Sequence, residues 1–274
     1  MKVDLHLHTY FSDGILDPVT LVKRANERSV TLLAITDHDC LDALPLALPV
    51  ASSFGMTLVS GVEFNTEYEH QEVHILGYGF DTHNARMLEG LRNQREDRAH
   101  RFKKMLDKLN ELGFPLHEKR VYELAGRGAL GRPHLALALI EAKVVKTVDE
   151  AFRKYLGYGK PAWIPRHYWT PMQAIETLHE AGGYAALAHP ERGGKKLLPT
   201  LVEAGLDGLE VFYPTHRKHV IDELIVLAKK YNLFATVGSD FHGINPGERG
   251  PGSVSAPRKD IEELVRILGN KPYG

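Results

Sequence analysis

One cysteine, Cys40, two tryptophans and no apolar run approaching the ~20 residues that span a bilayer are the scarcities of this sequence. A lone cysteine cannot form an internal disulfide, which sets aside the small secreted scaffolds that depend on cross-links. The opening Met-Lys-Val-Asp-Leu-His-Leu-His-Thr lacks the basic-then-apolar pattern of a secretory signal, so the cytoplasm is the expected compartment and no membrane association is expected. Net charge is missing too. The 34 Lys and Arg face 35 Asp and Glu, for a formal −1, which gives no whole-chain reason to expect a polyanion partner. At 274 residues, 43% hydrophobic and 25% charged, the chain fits one large α/β barrel or two modest domains and excludes a fibre or a disordered tail.

What the sequence does have is histidine, 15 in all, and an uneven spread of charge. Between Asn84 and Lys160 lie 17 basic and 10 acidic residues, so one segment is basic and the remainder collects carboxylates. Short β-branched or apolar runs alternate with amphipathic stretches, the pattern of βα units around a parallel sheet. Seven strands are expected, at 2–8, 31–36, 57–62, 73–78, 184–188, 208–212 and 234–238. Asp17 before Pro18 starts one helix, and Thr170 before Pro171 with Gln173 three residues on starts another, which stops at Gly182 and Gly183.

The stretch 81–162 breaks the alternation with three helical patterns and no strand. It reads as a helical insertion between the two parts of a main body, 1–80 and 163–274. Its first helix places Phe102, Met105, Leu106 and Leu109 on one stripe and Arg92, Arg95 and Arg98 on another side, and Gly113 ends it. Shorter helices follow at 133–142 and 149–156.

At the end of the first strand stands Asp4-Leu5-His6-Leu7-His8, and strand alternation points His6 and His8 to the same face as half of a metal site. Thr36-Asp37-His38-Asp39 ends the second strand, Gly61-Val62-Glu63 the third, Ala188-His189-Pro190 the fifth and Ser239-Asp240-Phe241-His242 the seventh, while His74 lies on the fourth. In a closed parallel barrel these ends meet at one mouth. Taken singly, each group could be a polar strand end satisfied by a hydrogen bond; taken together, such clustering is expensive without compensation. Six histidines with Asp13, Glu63 and Asp240 exceed what one ion uses at four to six positions, so two or three divalent ions are expected. Nitrogen and oxygen donors without thiolate suit Zn, Mn or Fe, and Glu63 can bridge a pair. Asp4, Asp37 and Asp39 read as groups that orient the imidazoles, and His70, His83, His100, His117, His179, His216 and His219 as surface residues.

Two features of the insertion favour a phosphate. Gly131-Arg132-Pro133-His134 opens a helix, whose free N–H groups and dipole attract an anion while Arg132 adds a bidentate fork, and Gly157-Tyr158-Gly159-Lys160 supplies a second cation. Tyr68, Trp163, Tyr168 and Trp169 could stack on a base or simply pack.

These motifs, in this order, resemble the PHP (polymerase and histidinol phosphatase) superfamily across essentially the whole chain. The Gly-Arg-Pro-His and Tyr-Leu-Gly-x-Gly-Lys-Pro runs resemble the branch containing nucleoside 3′,5′-bisphosphate phosphatase and the RNase AM type of 5′-to-3′ exoribonuclease. The resemblance implies a distorted (β/α)7 TIM-like barrel. It implies one metal on His6, His8, Glu63 and Asp240, a second on Glu63, His74 and His189, and a third on Asp13, His38 and His242, with manganese foremost and zinc, iron or magnesium as alternatives. The expected chemistry is removal of the 3′-phosphate from nucleoside 3′,5′-bisphosphates by a bridging hydroxide held by Glu63, Asp240 and His189, with Arg132, His134 and Lys160 on the substrate. A 5′-phosphorylated short RNA could use the same clamp. A histidinol-phosphate phosphatase, a metal-dependent amidohydrolase and a metal-free binding domain are the rivals. No stable protein partner is implied.

Overall fold

The computed structural model describes residues 1–125, 130–165, 169–192, 194–244 and 247–273. In chain order the elements are β1 (Lys2–Asp4), α1 (Pro18–Glu27), β2 (Val30–Ala34), α2 (Leu44–Ser53), β3 (Thr57–Val59), β4 (Gly61–Tyr68), β5 (Gln71–Tyr78), α3 (Ala85–Glu111), α4 (Glu118–Ala125), α5 (Arg132–Glu141) and α6 (Val148–Ala151), the last running into a π-helical turn, Phe152–Leu156. After these come α7 (Pro171–Glu180), β6 (Tyr184–Leu187), α8 (Leu198–Glu203), β7 (Gly208–Phe212), α9 (Lys218–Tyr231), β8 (Phe234–Val237) and α10 (Arg258–Leu268).

The fold is α/β, in two compact units: residues 1–91 with 168–274, and residues 92–167. The first break falls inside α3, later than the 81 boundary read from the pattern, because the first turns of this helix bury Met87 and Leu91 in the core of the larger unit, and Trp169 lies against Gly90 there.

In the larger unit β1, β2 and β3 form a parallel sheet, and β4 to β8 form a second in sequence order. Parallel pairing holds for β6–β7–β8 but not for β4–β5 or β5–β6, which are antiparallel. The expectation of a wholly parallel sheet is corrected here. An eighth strand, β4, runs through Glu63-Phe64-Asn65-Thr66-Glu67-Tyr68 and turns back at Glu69 and His70, both at positive φ (49° and 64°). Such two-residue hairpin turns usually carry Asn-Gly or Asp-Gly, so the sequence held no turn signal. Segments beyond the strand ends link the two sheets. Leu7 bridges Phe241, with Asp240 N–H donating to His6 O at 2.9 Å, and His38 bridges Glu63. Among the described residues the sheet does not close by continuous strand pairing.

Local signals explain the helices that hold these strands. The Asp17 carboxylate caps α1 by accepting from Thr20 N–H at 2.9 Å. Thr170 and Gln173 cap α7 reciprocally, each side chain accepting from the other residue's backbone N–H at 3.2 and 2.9 Å. α7 then lays Ala174, Ile175 and Leu178 on the sheet, so closely that a Cβ on Gly77 of β5 would stand 2.3 Å from Leu178 Cδ2. A second cluster under β1–β3 contains Leu7, Leu21, Leu33, Ile35 and Leu58.

In the smaller unit the stripe Phe102, Met105, Leu106 and Leu109 packs with Leu135, Leu139 and Leu156 as a core of its own. The sequence pattern passed over α4, whose eight residues offer only Val121 and Leu124 as aliphatic anchors and whose Arg120 pairs with Glu141 on α5. No helix among the described residues is long and apolar enough to cross a membrane.

The two kinds of support on α7 differ in size. Thr170→Ala removes a cap and is expected to cost about 1 kcal/mol, whereas Leu178→Ala opens a cavity and is expected to cost about 2 to 5 kcal/mol. Urea unfolding of both variants checks the ranking, and equal losses would contradict this packing.

Candidate metal centre

Glu63 stands on β4, where Val62 and Phe64 enter the core and Glu63 and Asn65 take the opposite face. Its carboxylate is 1% exposed and surrounded by imidazoles. Oε2 lies 3.1 Å from His6 Nε2, 3.1 Å from His8 Nε2 and 3.3 Å from His38 Nδ1. Oε1 lies 2.8 Å from His74 Nδ1 and 3.1 Å from His189 Nε2. Asp240 Oδ1 is 3.2 Å from both His6 Nε2 and His8 Nε2. On the outer side Asp13 reaches His242 Nε2 at 3.2 Å and, at 3.6 Å, His8 Nδ1 and His38 Nε2.

The segments that carry the candidate ligands come from different parts of the two sheets. His6 and His8 follow β1, His38 follows β2, His189 follows β6, and Asp240 and His242 follow β8. His74 belongs to β5, and in the antiparallel register Asn65 faces it directly, so Glu63 is its diagonal neighbour, within reach of a long side chain.

Among the described residues three groups of donor atoms lie close enough to share an ion: His6, His8, Glu63 and Asp240; His8, Asp13, His38 and His242; and His38, Glu63 and His74. His189 falls in none of these three groups, although its Nε2 faces the same Glu63 oxygen as His74. Buried His8 Nε2, His38 Nδ1 and Asp13 Oδ1 have no hydrogen-bond partner among the described residues. Nitrogens this close to carboxylate oxygens but not aligned on them as hydrogen bonds converge as ligands of a shared cation do, and the donor set fits divalent metal ions.

The charges agree. Burial alone would lower the imidazole pKa values, but Glu210, Glu63 and Asp240 hold His6 well above its ordinary value. Against the same burial, the carboxylate contacts push His8 and His74 up to about 10. His38 goes the other way, to about 4, where burial is joined by repulsion from His8 and His74. Despite burial, the imidazoles hold Glu63, Asp13 and Asp240 below the carboxylate range. Ionised carboxylates therefore demand positive charge at this point, from protons or from metal.

The PHP domain family model matches residues 4–160. The 5′-3′ exoribonuclease Rnm of Salmonella typhimurium is 38% identical over 247 residues, covering 87% of this chain and 84% of that protein. The 3′,5′-nucleoside bisphosphate phosphatase of Chromobacterium violaceum is 34% identical over 257 residues, covering 91% and 89%. This chain belongs to the PHP domain family. A solved structure from Bifidobacterium adolescentis, described as a metal-dependent phosphoesterase, matches with a TM-score of 0.82 at 30% identity over 96% of this chain and 95% of that one.

In this PHP chain Asp4, Asp37 and Asp39 stand one step further from the rings than the sequence suggests. Asp4 accepts backbone N–H groups of His6, Ser239 and Gly252, and Asp37 accepts from Thr9 and from Ser12 Oγ, which in turn lies 3.3 Å from His8 Nδ1. Asp39 accepts from Asn65 N–H and Nδ2. A further carboxylate, absent from the sequence reading, sits directly on the His6 ring: Glu210, whose signal is a lone acid inside the apolar run Gly208-Leu209-Glu210-Val211-Phe212. Tyr213 was passed over as well, and its hydroxyl donates to Asp240 Oδ2 at 2.7 Å. His216, read as a surface residue, is only 9% exposed; its Nδ1–H donates to Val211 O at 2.9 Å and its ring packs on Tyr213. The chain curls back after β7 there, which no local pattern announced.

Within the smaller unit, Arg132 opens α5 with its guanidinium carbon 5.4 Å from the Phe152 ring centroid. His134 Nδ1 accepts from Gly131 N–H at 3.1 Å and so caps the helix itself, and Lys160 is exposed after the Gly157 turn. Trp163 packs on Tyr158, and Trp169 stacks on Phe64 of the larger unit. Tyr168 lies outside the described residues.

Metal and protons compete for His6, His8 and His74. Groups whose values lie above 6.5 keep their protons through neutral pH unless a cation displaces them, so metal-linked stabilisation should grow as pH rises from 6 to 9 and shrink on acidification. Calorimetric melting with and without Zn²⁺ across this range measures it. An increment independent of pH would contradict this reading of the centre.

Proposed function

We propose that this PHP chain is a metal-dependent phosphoesterase that removes the 3′-phosphate from nucleoside 3′,5′-bisphosphates and, through the same site, trims short 5′-phosphorylated RNA from its 5′ end. The observation that carries the reading is the clustering of six histidines with Asp13, Glu63 and Asp240, five of the histidines facing the Glu63 carboxylate, a donor set suited to two or three ions. The activities named for the relatives from Chromobacterium violaceum and Salmonella typhimurium support the choice of substrate. Manganese is the proposed metal, with zinc, iron or magnesium as alternatives. We read the two linked sheets as a distorted (β/α)7 barrel, and the single thiol Cys40 as fitting a reducing, cytoplasmic setting.

In this proposal His6, His8, Glu63 and Asp240 hold one ion, Glu63 with His74 and His189 a second, and Asp13, His38 and His242 a third. Bound ions would lower the pKa of water toward neutrality and offset charge on the phosphoryl oxygens. Glu63, Asp240 and His189 would hold the nucleophile in line with phosphorus. Arg132, His134 and Lys160 of the smaller unit would hold the other phosphate, Arg132 through its fork and His134 by keeping the α5 N-terminus ordered for an anion. Remote binding of that phosphate lends its energy to the reacting one. An amino-alcohol phosphate has no second phosphate and leaves these cations without a task.

Phosphate release from adenosine 3′,5′-bisphosphate, AMP, histidinol phosphate and a 5′-phosphorylated RNA, each with Mn²⁺, tests the proposal. Preference for the bisphosphate, leaving 5′-AMP, is the expected result, and turnover of histidinol phosphate alone would contradict it. Arg132→Ala should lower kcat/KM for the bisphosphate by about 10- to 100-fold, as loss of a charge-assisted hydrogen bond implies, with hydrolysis of a simple aryl phosphate nearly unchanged. Equal loss on both substrates would remove Arg132 from the clamp.

A further inference from the structure

We infer that Glu210 is a positioning residue that locks two metal ligands from different strands at once, an inference that rests on the metal-centre reading above. Glu210 lies mid-strand on β7, which contributes none of the nine candidate ligands, and it is fully buried. Its two oxygens are divided between two segments. Oε1 is 2.9 Å from His6 Nδ1, and Oε2 accepts the backbone N–H of His189 at 2.6 Å.

Each contact has a specific consequence. An acceptor at Nδ1 fixes the ring proton of His6 there and leaves the Nε2 lone pair free, on the side where Glu63 and Asp240 lie 3.1 and 3.2 Å away. At His189 the backbone stands at φ 23°, in the left-handed half of conformational space that a residue with a Cβ rarely adopts. The hydrogen bond that His189 N–H donates to Glu210 holds that segment, and with it the ring that faces Glu63 Oε1. The approach of Glu210 to His6 needs a bare backbone beside it: a Cβ on Gly238 would lie 2.3 Å from His6 Cβ and 2.7 Å from Glu210 Oε1. One side chain thus ties a ligand that follows β1 to a ligand that follows β6, on either side of Glu63.

Glu210→Gln keeps the shape and removes one acceptor. However the amide turns, its NH₂ faces either the His6 Nδ1 proton or the His189 N–H, so one of the two bonds fails. Two readouts independent of substrate test the inference: metal content after dialysis against graded Zn²⁺ buffers, and ¹⁵N-histidine NMR of the Zn²⁺-loaded protein. The expected results are a 10- to 100-fold loss of apparent Zn²⁺ affinity in Glu210→Gln, and a wild-type His6 ring carrying its proton on Nδ1. Wild-type affinity in the variant, or a wild-type His6 protonated on Nε2, would overturn it; the wild-type spectrum decides if the variant does not fold. Glu210-dependent metal binding in a protein that leaves bisphosphates untouched would sink the proposed substrate and keep the role of Glu210. A protein that binds no metal would sink both.

Discussion

The structure turns on one buried carboxylate set among five imidazoles. Three ring nitrogens face one oxygen of Glu63 and two face the other, all within 3.3 Å. A carboxylate removed from water at this cost must be met by positive charge, and the rings themselves are neutral unless protonated. Divalent ions resolve the conflict, because they accept both the carboxylate oxygens and the neutral nitrogens. The sheet arrangement serves that point: segments after β1, β2, β6 and β8 deliver candidate ligands, while the β4–β5 hairpin delivers Glu63 and His74 as diagonal neighbours.

Much of this clustering was legible in the sequence because the candidate ligands sit in short motifs at strand ends. The pair His6 and His8 followed from alternation, and their rings do meet, 5.1 Å apart. Asp240 and His242 were legible for the same reason. The helix caps at Asp17 and Thr170 were equally readable, since each depends on residues within three positions of one another. What escaped were features whose cause lies elsewhere in the chain. The hairpin turn at Glu69 and His70 carries no glycine, asparagine or aspartate, so nothing local announces the strand that leads into it. Glu210 passed for part of a buried strand because its partners, His6 and His189, are distant in sequence.

β7 gives the centre a second tier. It supplies Glu210 to His6 and His189, and the chain just beyond it supplies Tyr213 to Asp240 and His216 to Tyr213. Asp37 acts similarly through Ser12 beneath His8. Supports of this kind fix ring orientation before any ion binds. In the smaller unit α5 opens on Arg132 and is capped by His134, the helix N-terminus on which the proposed phosphate clamp relies.

Anomalous diffraction from crystals grown with Mn²⁺ tests the central claim most directly. The account predicts ions on both sides of the Glu63 carboxylate, each bonded to one of its oxygens at about 2.0 to 2.2 Å, with imidazole nitrogens completing the shell. An anomalous map with no ion bonded to Glu63, its carboxylate held only by protonated histidines, would contradict it.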